Sequence, residues 1–184
     1  MDQRISIFKK HLVPLLCSSF LIYDLITFCV VYNTDPREEQ LIKEGNEEER
    51  EIHYIACTIE PKSNLLTIFD PSADNQGNSY WNILPSLEKE LITILSSSSV
   101  KKSWKLEKEH PVIMCQNQVE EDFFCQTWTL HYLEQRILGK THKEIISEYN
   151  KLKKEECLPF IETYSKQLLQ KYKHLYNYFQ KQIQ

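Results

Sequence analysis

Short apolar runs rich in β-branched and aromatic residues mark the strands that this chain is expected to form. Two of them, at 52–59 and 65–69, flank a short turn-like stretch and therefore predict an antiparallel hairpin. An earlier run from Ile26 to Tyr32 predicts a third strand, and the stretches 104–107 and 111–116 predict two more. The first part of the chain is thus expected to form a sheet.

Apolar residues at helical spacing predict helices between and after these strands. The run from Pro85 to Leu95 predicts an amphipathic helix, because proline is tolerated in a first turn. Asp122 is placed to cap a second helix that begins at Phe123, and apolar residues around much of its circumference predict that it is buried. A capping-box pattern at 141–144 predicts a third helix, and Pro159 is expected to open a long fourth one.

Length and composition are typical of a single compact domain. The chain has 184 residues, of which 41% are hydrophobic and 11% aromatic, so it can bury one sizeable core. We expect one domain over 1–184, with a helical extension from about 141 to 184. A net charge of −4 gives no general reason to expect nucleic-acid binding, although lysines near the C-terminus leave a weak nucleic-acid or partner role open.

The six cysteines lack the C-x-x-C spacing of zinc sites and of thiol-redox sites. Free thiols in a reducing compartment therefore fit best. A metal site built from His110, Cys115 and His131 matches no ligand pattern and is rejected, so no metal and no other cofactor is expected.

One apolar stretch, from Leu12 to Tyr32, is long enough to cross a lipid bilayer. Asp24 lies near its middle, where a charged side chain costs about 3 kcal/mol on insertion scales, and Pro14 further weakens the match. We therefore expect no membrane span here, but a short core helix followed by the strand from Ile26 to Tyr32.

Four residues, His53, Asp70, Gln118 and Cys125, occur in an order and in local contexts that suit thiol chemistry. A thiol nucleophile needs a base, a carboxylate that orients the base, and a donor that receives the developing oxyanion. His53 lies near the start of the first hairpin strand and Asp70 follows the second, so antiparallel pairing brings them together. Cys125 is expected in the first turn of a helix, where exposed N–H groups and the helix dipole favour a thiolate.

Each of these residues also has a plainer interpretation. Asp70 begins a stretch rich in turn formers and could simply cap a turn, and His53 could be a packed strand histidine. Cys125 could be one more core cysteine, because free cysteines often act as small buried residues. Gln116 lies close enough in sequence to compete with Gln118 for the oxyanion role.

The order His, Asp, Gln and Cys, with the first two on one hairpin and the Cys opening a buried helix, resembles the adenovirus protease, adenain, and its relatives. These relatives include SUMO-specific and other ubiquitin-like-protein proteases, the core-protein proteases of poxviruses, and uncharacterised proteins of giant viruses. The spacing from His53 to Asp70 and that from Gln118 to Cys125 suit this family, and Phe69-Asp70-Pro71 resembles its adenovirus branch.

The resemblance implies a catalytic role for all four residues. The nucleophile, the general base, the orienting carboxylate and the oxyanion donor would be, in that order, Cys125, His53, Asp70 and Gln118. The backbone N–H at Cys125 would be a second oxyanion donor. The sequence departs from the family pattern at Gln126, where the family usually has Gly, and at Tyr54, where Trp is common.

The sequence therefore predicts an α+β fold of the adenain-like, papain-related type, with a mixed central sheet packed against a buried helix that starts at the catalytic Cys125. The protein would be a cysteine endopeptidase of a host cytoplasm or a virion. Its polypeptide substrate would be viral precursor proteins or a ubiquitin-like tail. Two alternatives stay open: an inactive virion structural or scaffold protein that retains the fold, and an acyltransferase that uses the same Cys–His pair. The oligomeric state is not predicted.

Overall fold

The computed structural model describes residues 23–33, 52–77, 84–98, 103–112 and 124–183. Within these ranges the chain forms four strands and four helices. The strands are β1 (Ile26–Asn33), β2 (Ile52–Glu60), β3 (Leu65–Phe69) and β4 (Lys105–Glu107). The helices are α1 (Leu84–Ser98), α2 (Cys125–Ile137), α3 (His142–Tyr149) and α4 (Lys154–Ile183).

The described strands form one mixed sheet in the order β1-β2-β3-β4. Neighbouring strands from β1 to β3 are antiparallel, whereas the short β4 pairs with β3 in parallel. The turn between β2 and β3 includes Asn64, whose φ of 51° lies in the left-handed region that Asn tolerates better than most residues. The predicted hairpin is confirmed, and so is the expected mixed sheet.

Helices cover both faces of this sheet because side chains alternate along its strands. On one face, Ile55 of β2 belongs to a buried cluster with Leu91 of α1. On the other face, Ala56 and Phe69 belong to a second cluster with Trp128 of α2 and with residues of α3 and α4. The sheet is therefore the middle layer of three, and the start of α2 lies on the same face as the second cluster.

The predicted starts of two helices need correction. α2 begins at Cys125 instead of Phe123, so the cysteine is its first residue. α4 begins at Lys154, and Pro159 lies inside it instead of opening it. Acidic residues at 155 and 156 favour the earlier start, because negative charge stabilises the positive end of the helix dipole. Pro159 has no N–H to donate to the carbonyl of Glu155 one turn earlier, so one bond of the helix ladder is missing there.

The other helix predictions are confirmed within the described residues. α1 extends the predicted amphipathic helix by a few residues at its end. In α3 the backbone N–H of Glu144 donates to the Thr141 hydroxyl, and the Glu144 carboxylate accepts from the N–H of Thr141 at 2.7 Å. This is the reciprocal capping box that the sequence pattern predicts.

The apolar stretch that raised the question of a membrane span contributes β1, which pairs with β2 along its whole length. No helix of the described ranges is both long enough and apolar enough to cross a membrane. The short helix predicted before β1 lies outside the described residues, and so does most of the strand predicted at 111–116. Pro111 and Val112, which are described, are not in a strand.

Three buried histidines, His110, His131 and His142, make the fold sensitive to acid. Burial lowers the pKa of each from 6.5 to about 4. Two contacts hold the His142 imidazole: Nε2 donates to the carbonyl of Glu109 at 2.7 Å, and Nδ1 lies 2.9 Å from the Tyr132 hydroxyl. In acid the unfolded chain therefore takes up protons that the folded chain excludes.

We expect the contribution of these three histidines to the free energy of unfolding to be most favourable above about pH 6.5 and to fall as the pH drops towards 4. The loss near pH 4.5 is on the order of 2 kcal/mol for each of the three histidines. Urea unfolding across this pH range measures it. A His142→Gln variant should lose part of the pH dependence, and an unchanged slope in that variant would contradict the assignment.

Candidate active site

The two ends of the β2–β3 hairpin meet at His53 and Asp70. The strands pair as far as Ala56 and Phe69, and Asp70 follows directly. Nε2 of His53 lies 2.8 Å from Oδ1 of Asp70, and the two side chains are 1% and 0% exposed. The contact that the hairpin geometry predicts is therefore present, and water is excluded from it.

Asp70 also organises the turn that follows β3. Its backbone carbonyl accepts from the N–H of Ala73 at 3.1 Å. Its Oδ1 accepts from the N–H of Ser72 and from the Ser72 hydroxyl, each at 2.8 Å. The turn-cap interpretation and the His-orienting interpretation of Asp70 are therefore compatible, because one carboxylate oxygen makes both sets of contacts.

Cys125 is the first residue of α2 and is 7% exposed. The preceding residue, Phe124, is the N-cap and makes no side-chain cap hydrogen bond to the helix. One turn later, the Thr129 hydroxyl donates to the carbonyl of Tyr54 at 3.0 Å. This bond joins the start of α2 to the strand residue next to His53, which holds the thiol and the imidazole in one place.

His53 links the carboxylate to the thiol. Burial by itself lowers the pKa of His53, but hydrogen bonds to Asp70 and to Cys125, with the charges of both, raise it to about 9. Because Nε2 is engaged by Asp70, the Nδ1 nitrogen is the one that can serve the sulfur. The side chain of His53 is therefore an imidazolium at neutral pH. It lies between the Asp70 carboxylate and the Cys125 thiol.

Two other thiols of the sheet differ from Cys125. Cys29 of β1 pairs in register with Ala56, whose side chain belongs to the cluster under α2. Partial burial and the charge of Cys125 raise the pKa of Cys29 to about 11, and complete burial raises the pKa of Cys57 further still. Both thiols therefore stay protonated at neutral pH.

The remaining predicted site residue, Gln118, lies outside the described residues, and so does its competitor Gln116. The two positions that depart from the family pattern are described. Gln126 has an exposed side chain, so it does not fill the buried space between His53 and Cys125. Tyr54 contributes its backbone carbonyl to the bond with Thr129, a contact that does not depend on its side chain.

Sequence reasoning missed Ser72 as a member of this site. Its hydroxyl lies 2.8 Å from Oδ1 of Asp70 and 3.5 Å from Nε2 of His53. The available signal was a Ser two residues after an Asp, which is common in turns and carries no catalytic meaning alone. Only the hairpin, which brings His53 to the same oxygen, gives the hydroxyl a place in the site.

The three-layer arrangement, with a mixed sheet and a helix that starts at a cysteine beside a His–Asp pair, defines an α+β fold of the papain-related type. Solved structures with this fold include ChlaDub1 from Chlamydia trachomatis, with a TM-score of 0.54, 13% identity and coverage of 85% of this chain and 77% of that one. The Chlamydia trachomatis effector protein Cdu1 bound to ubiquitin matches with a TM-score of 0.57 and 13% identity, over 86% and 77%.

A third structure, the Chlamydia abortus effector protein ChlaDUB, matches with a TM-score of 0.51 and 9% identity, over 80% of this chain and 59% of that one. At such low identity the likeness is one of fold, and the fold class expected from the sequence is confirmed. No protein-family profile and no curated protein sequence matches the chain. All three structures come from Chlamydia, so they give no support to the viral source that the sequence resemblance implies.

Proposed function

We propose that this protein is a cysteine protease that acts on a ubiquitin-like polypeptide. The observation that carries the proposal is that His53 makes hydrogen bonds both to Asp70, at 2.8 Å, and to Cys125. A buried histidine with a packing role alone needs neither a thiol nor a carboxylate as its partner. The same pair of contacts is what a thiol hydrolase requires of its base.

The proposed reaction begins with the imidazolium of His53 beside the sulfur of Cys125. The sulfur attacks the carbonyl carbon of the substrate, and the negative charge develops on the carbonyl oxygen. The backbone N–H at Cys125 and the side-chain amide of Gln118 are the proposed donors to that oxygen. His53 then protonates the leaving amine, and a water molecule, deprotonated by the same imidazole, hydrolyses the thioester.

A ubiquitin-like tail is the better supported of the two substrate classes expected from the sequence. Cdu1, which shares this fold, has been solved bound to ubiquitin. No observation favours viral precursor proteins over this class. We also propose a reducing compartment, such as a host cytoplasm, because the four cysteines in the described ranges are free thiols and the nucleophile must remain reduced.

Selective alkylation tests the nucleophile. We expect iodoacetamide to label Cys125 at least about tenfold faster than any other cysteine at neutral pH, because an ionised thiol reacts and a protonated one does not. A His53→Ala variant should lose this selectivity. A His131→Gln variant is the matched control, because His131 is also buried but bonds to Tyr149 and not to a thiol. Mass spectrometry of the digested protein identifies the labelled residue.

Ubiquitin that carries a C-terminal electrophile tests the substrate class. Formation of a covalent adduct at Cys125, absent in Cys125→Ala, would support a protease for ubiquitin-like tails. Uniform labelling of all cysteines by iodoacetamide would instead indicate an inactive protein that retains the fold. Rapid iodoacetamide labelling without any ubiquitin adduct, together with acyl transfer from thioester donors, would favour the acyltransferase alternative.

A further inference from the structure

A single carboxylate oxygen receives three hydrogen bonds at the centre of this site. Oδ1 of Asp70 accepts from Nε2 of His53, from the backbone N–H of Ser72 and from the Ser72 hydroxyl, each at 2.8 Å. The Ser72 hydroxyl is also 3.5 Å from Nε2 of His53, so it lies at the junction of the acid and the base. Ser72 is 1% exposed, so its hydroxyl is shielded from bulk water.

We propose that Ser72 is a positioning residue of this site: its hydroxyl keeps the Asp70 carboxylate ionised and aimed at His53. This inference rests on the proposed function, since it assigns Ser72 a role in activating Cys125. Ser72 acts on Cys125 through Asp70 and His53, the two residues that its hydroxyl contacts.

The hydroxyl contributes something that the turn does not need. The backbone N–H at position 72 closes the turn onto Asp70, and any residue except proline would supply that donor. Only Ser or Thr adds a hydroxyl that reaches the same oxygen. A buried carboxylate is costly unless donors stabilise its charge, and each donor to the ionised form makes protonation harder.

The Ser72 hydroxyl should therefore widen the pH range over which His53 is an imidazolium. With Asp70 ionised, His53 holds its proton beside Cys125 and the thiolate is stabilised. Without the Ser72 hydroxyl, Asp70 takes up a proton at a higher pH. Its negative charge then no longer stabilises the imidazolium of His53. The reactivity of Cys125 should then disappear earlier as the pH falls, so the acid limb of its pH profile should move towards neutrality.

The pH dependence of Cys125 alkylation by iodoacetamide tests this inference in the full chain. For Ser72→Ala we expect labelling about tenfold slower near pH 6, with the acid limb shifted upward by about one pH unit, as the loss of one charge-assisted hydrogen bond predicts. Ser72→Thr keeps a hydroxyl and should restore the parent profile to within about threefold. Thr67→Val is the matched control, because the buried Thr67 hydroxyl has no hydrogen-bond partner among the described residues.

The outcomes separate this inference from the proposed function. If Cys125 of the parent protein is not labelled preferentially, the proposed function fails before any variant is compared. If the parent is labelled selectively but Ser72→Ala has the same rate and the same acid limb, the positioning role of Ser72 is overturned. A lower melting temperature with an unchanged pH profile also overturns it, because Ser72 would then support only the fold.

Discussion

An Asp70→Asn variant is expected to lose about 10²- to 10³-fold in kcat/KM. As the pH rises, its activity should also decline at a lower pH than that of the parent protein. The parent should be active through neutral pH and decline as the pH rises through about 9, because His53 must carry a proton to release the amine. Burial lowers the pKa of His53, and Asp70 and Cys125 raise it, with the hydrogen bond to Asp70 as the largest raising cause. The neutral amide removes the negative charge of Asp70, so burial lowers the pKa of His53 with less opposition.

Initial rates across the pH range measure this effect, with ubiquitin carrying a C-terminal fluorogenic amide as substrate. The matched control is Asp74→Asn, which makes the same chemical change in the next turn, where the N–H of Gly77 donates to the Asp74 carbonyl at 2.9 Å. Asp74 accepts from the backbone N–H of Gln76 at 2.9 Å, so its replacement should cost little activity. An Asp70→Asn enzyme with the parent's alkaline limb would show that Asp70 does not set the protonation of His53. Equal losses in both variants would mean that the effect is not specific to Asp70.

The hairpin was predictable because its information is local. Two apolar runs and a short turn fix which strands pair, and antiparallel pairing then fixes which ends meet. His53 and Asp70 could therefore be placed together without any knowledge of the remaining fold. The start of α2 was also predicted within two residues, since helix boundaries depend on nearby caps and apolar spacing.

Other features depend on contacts between distant residues, and local patterns carry little of that information. The parallel pairing of the three-residue β4 with β3 depends on the chain between them, which a strand pattern does not describe. The apolar pattern predicts that α2 is buried, but Ile137 at its end is 66% exposed. Ser72 gains its place only once His53 reaches the same carboxylate.

An ion pair between the ends of β2 and α2 illustrates the same point for stability. Arg136 of α2 donates through Nη2 to Glu60 of β2, and its Nη1 donates to the carbonyl of Lys140 at 2.7 Å. The Arg136 side chain is only 5% exposed, whereas Glu60 is 33% exposed. In the sequence these residues stand 76 positions apart and look like ordinary surface charges. In the fold, a buried guanidinium depends on a single described carboxylate.

We expect Glu60→Gln to lower the free energy of unfolding by about 3 kcal/mol, the lower end of the range for breaking a buried ion pair, because Glu60 remains partly hydrated. Arg136→Met removes the buried charge itself, and in that background Glu60→Gln should cost less than about 0.5 kcal/mol. Glu148→Gln is the matched control: its exposed pair with Lys140 has an N–O distance of 2.8 Å, and its loss should cost at most about 1 kcal/mol. Urea unfolding of the four proteins and the double variant measures the coupling. Additive losses in the double variant would mean that Arg136 does not need Glu60, and that the buried charge is stabilised by its bond to the Lys140 carbonyl instead.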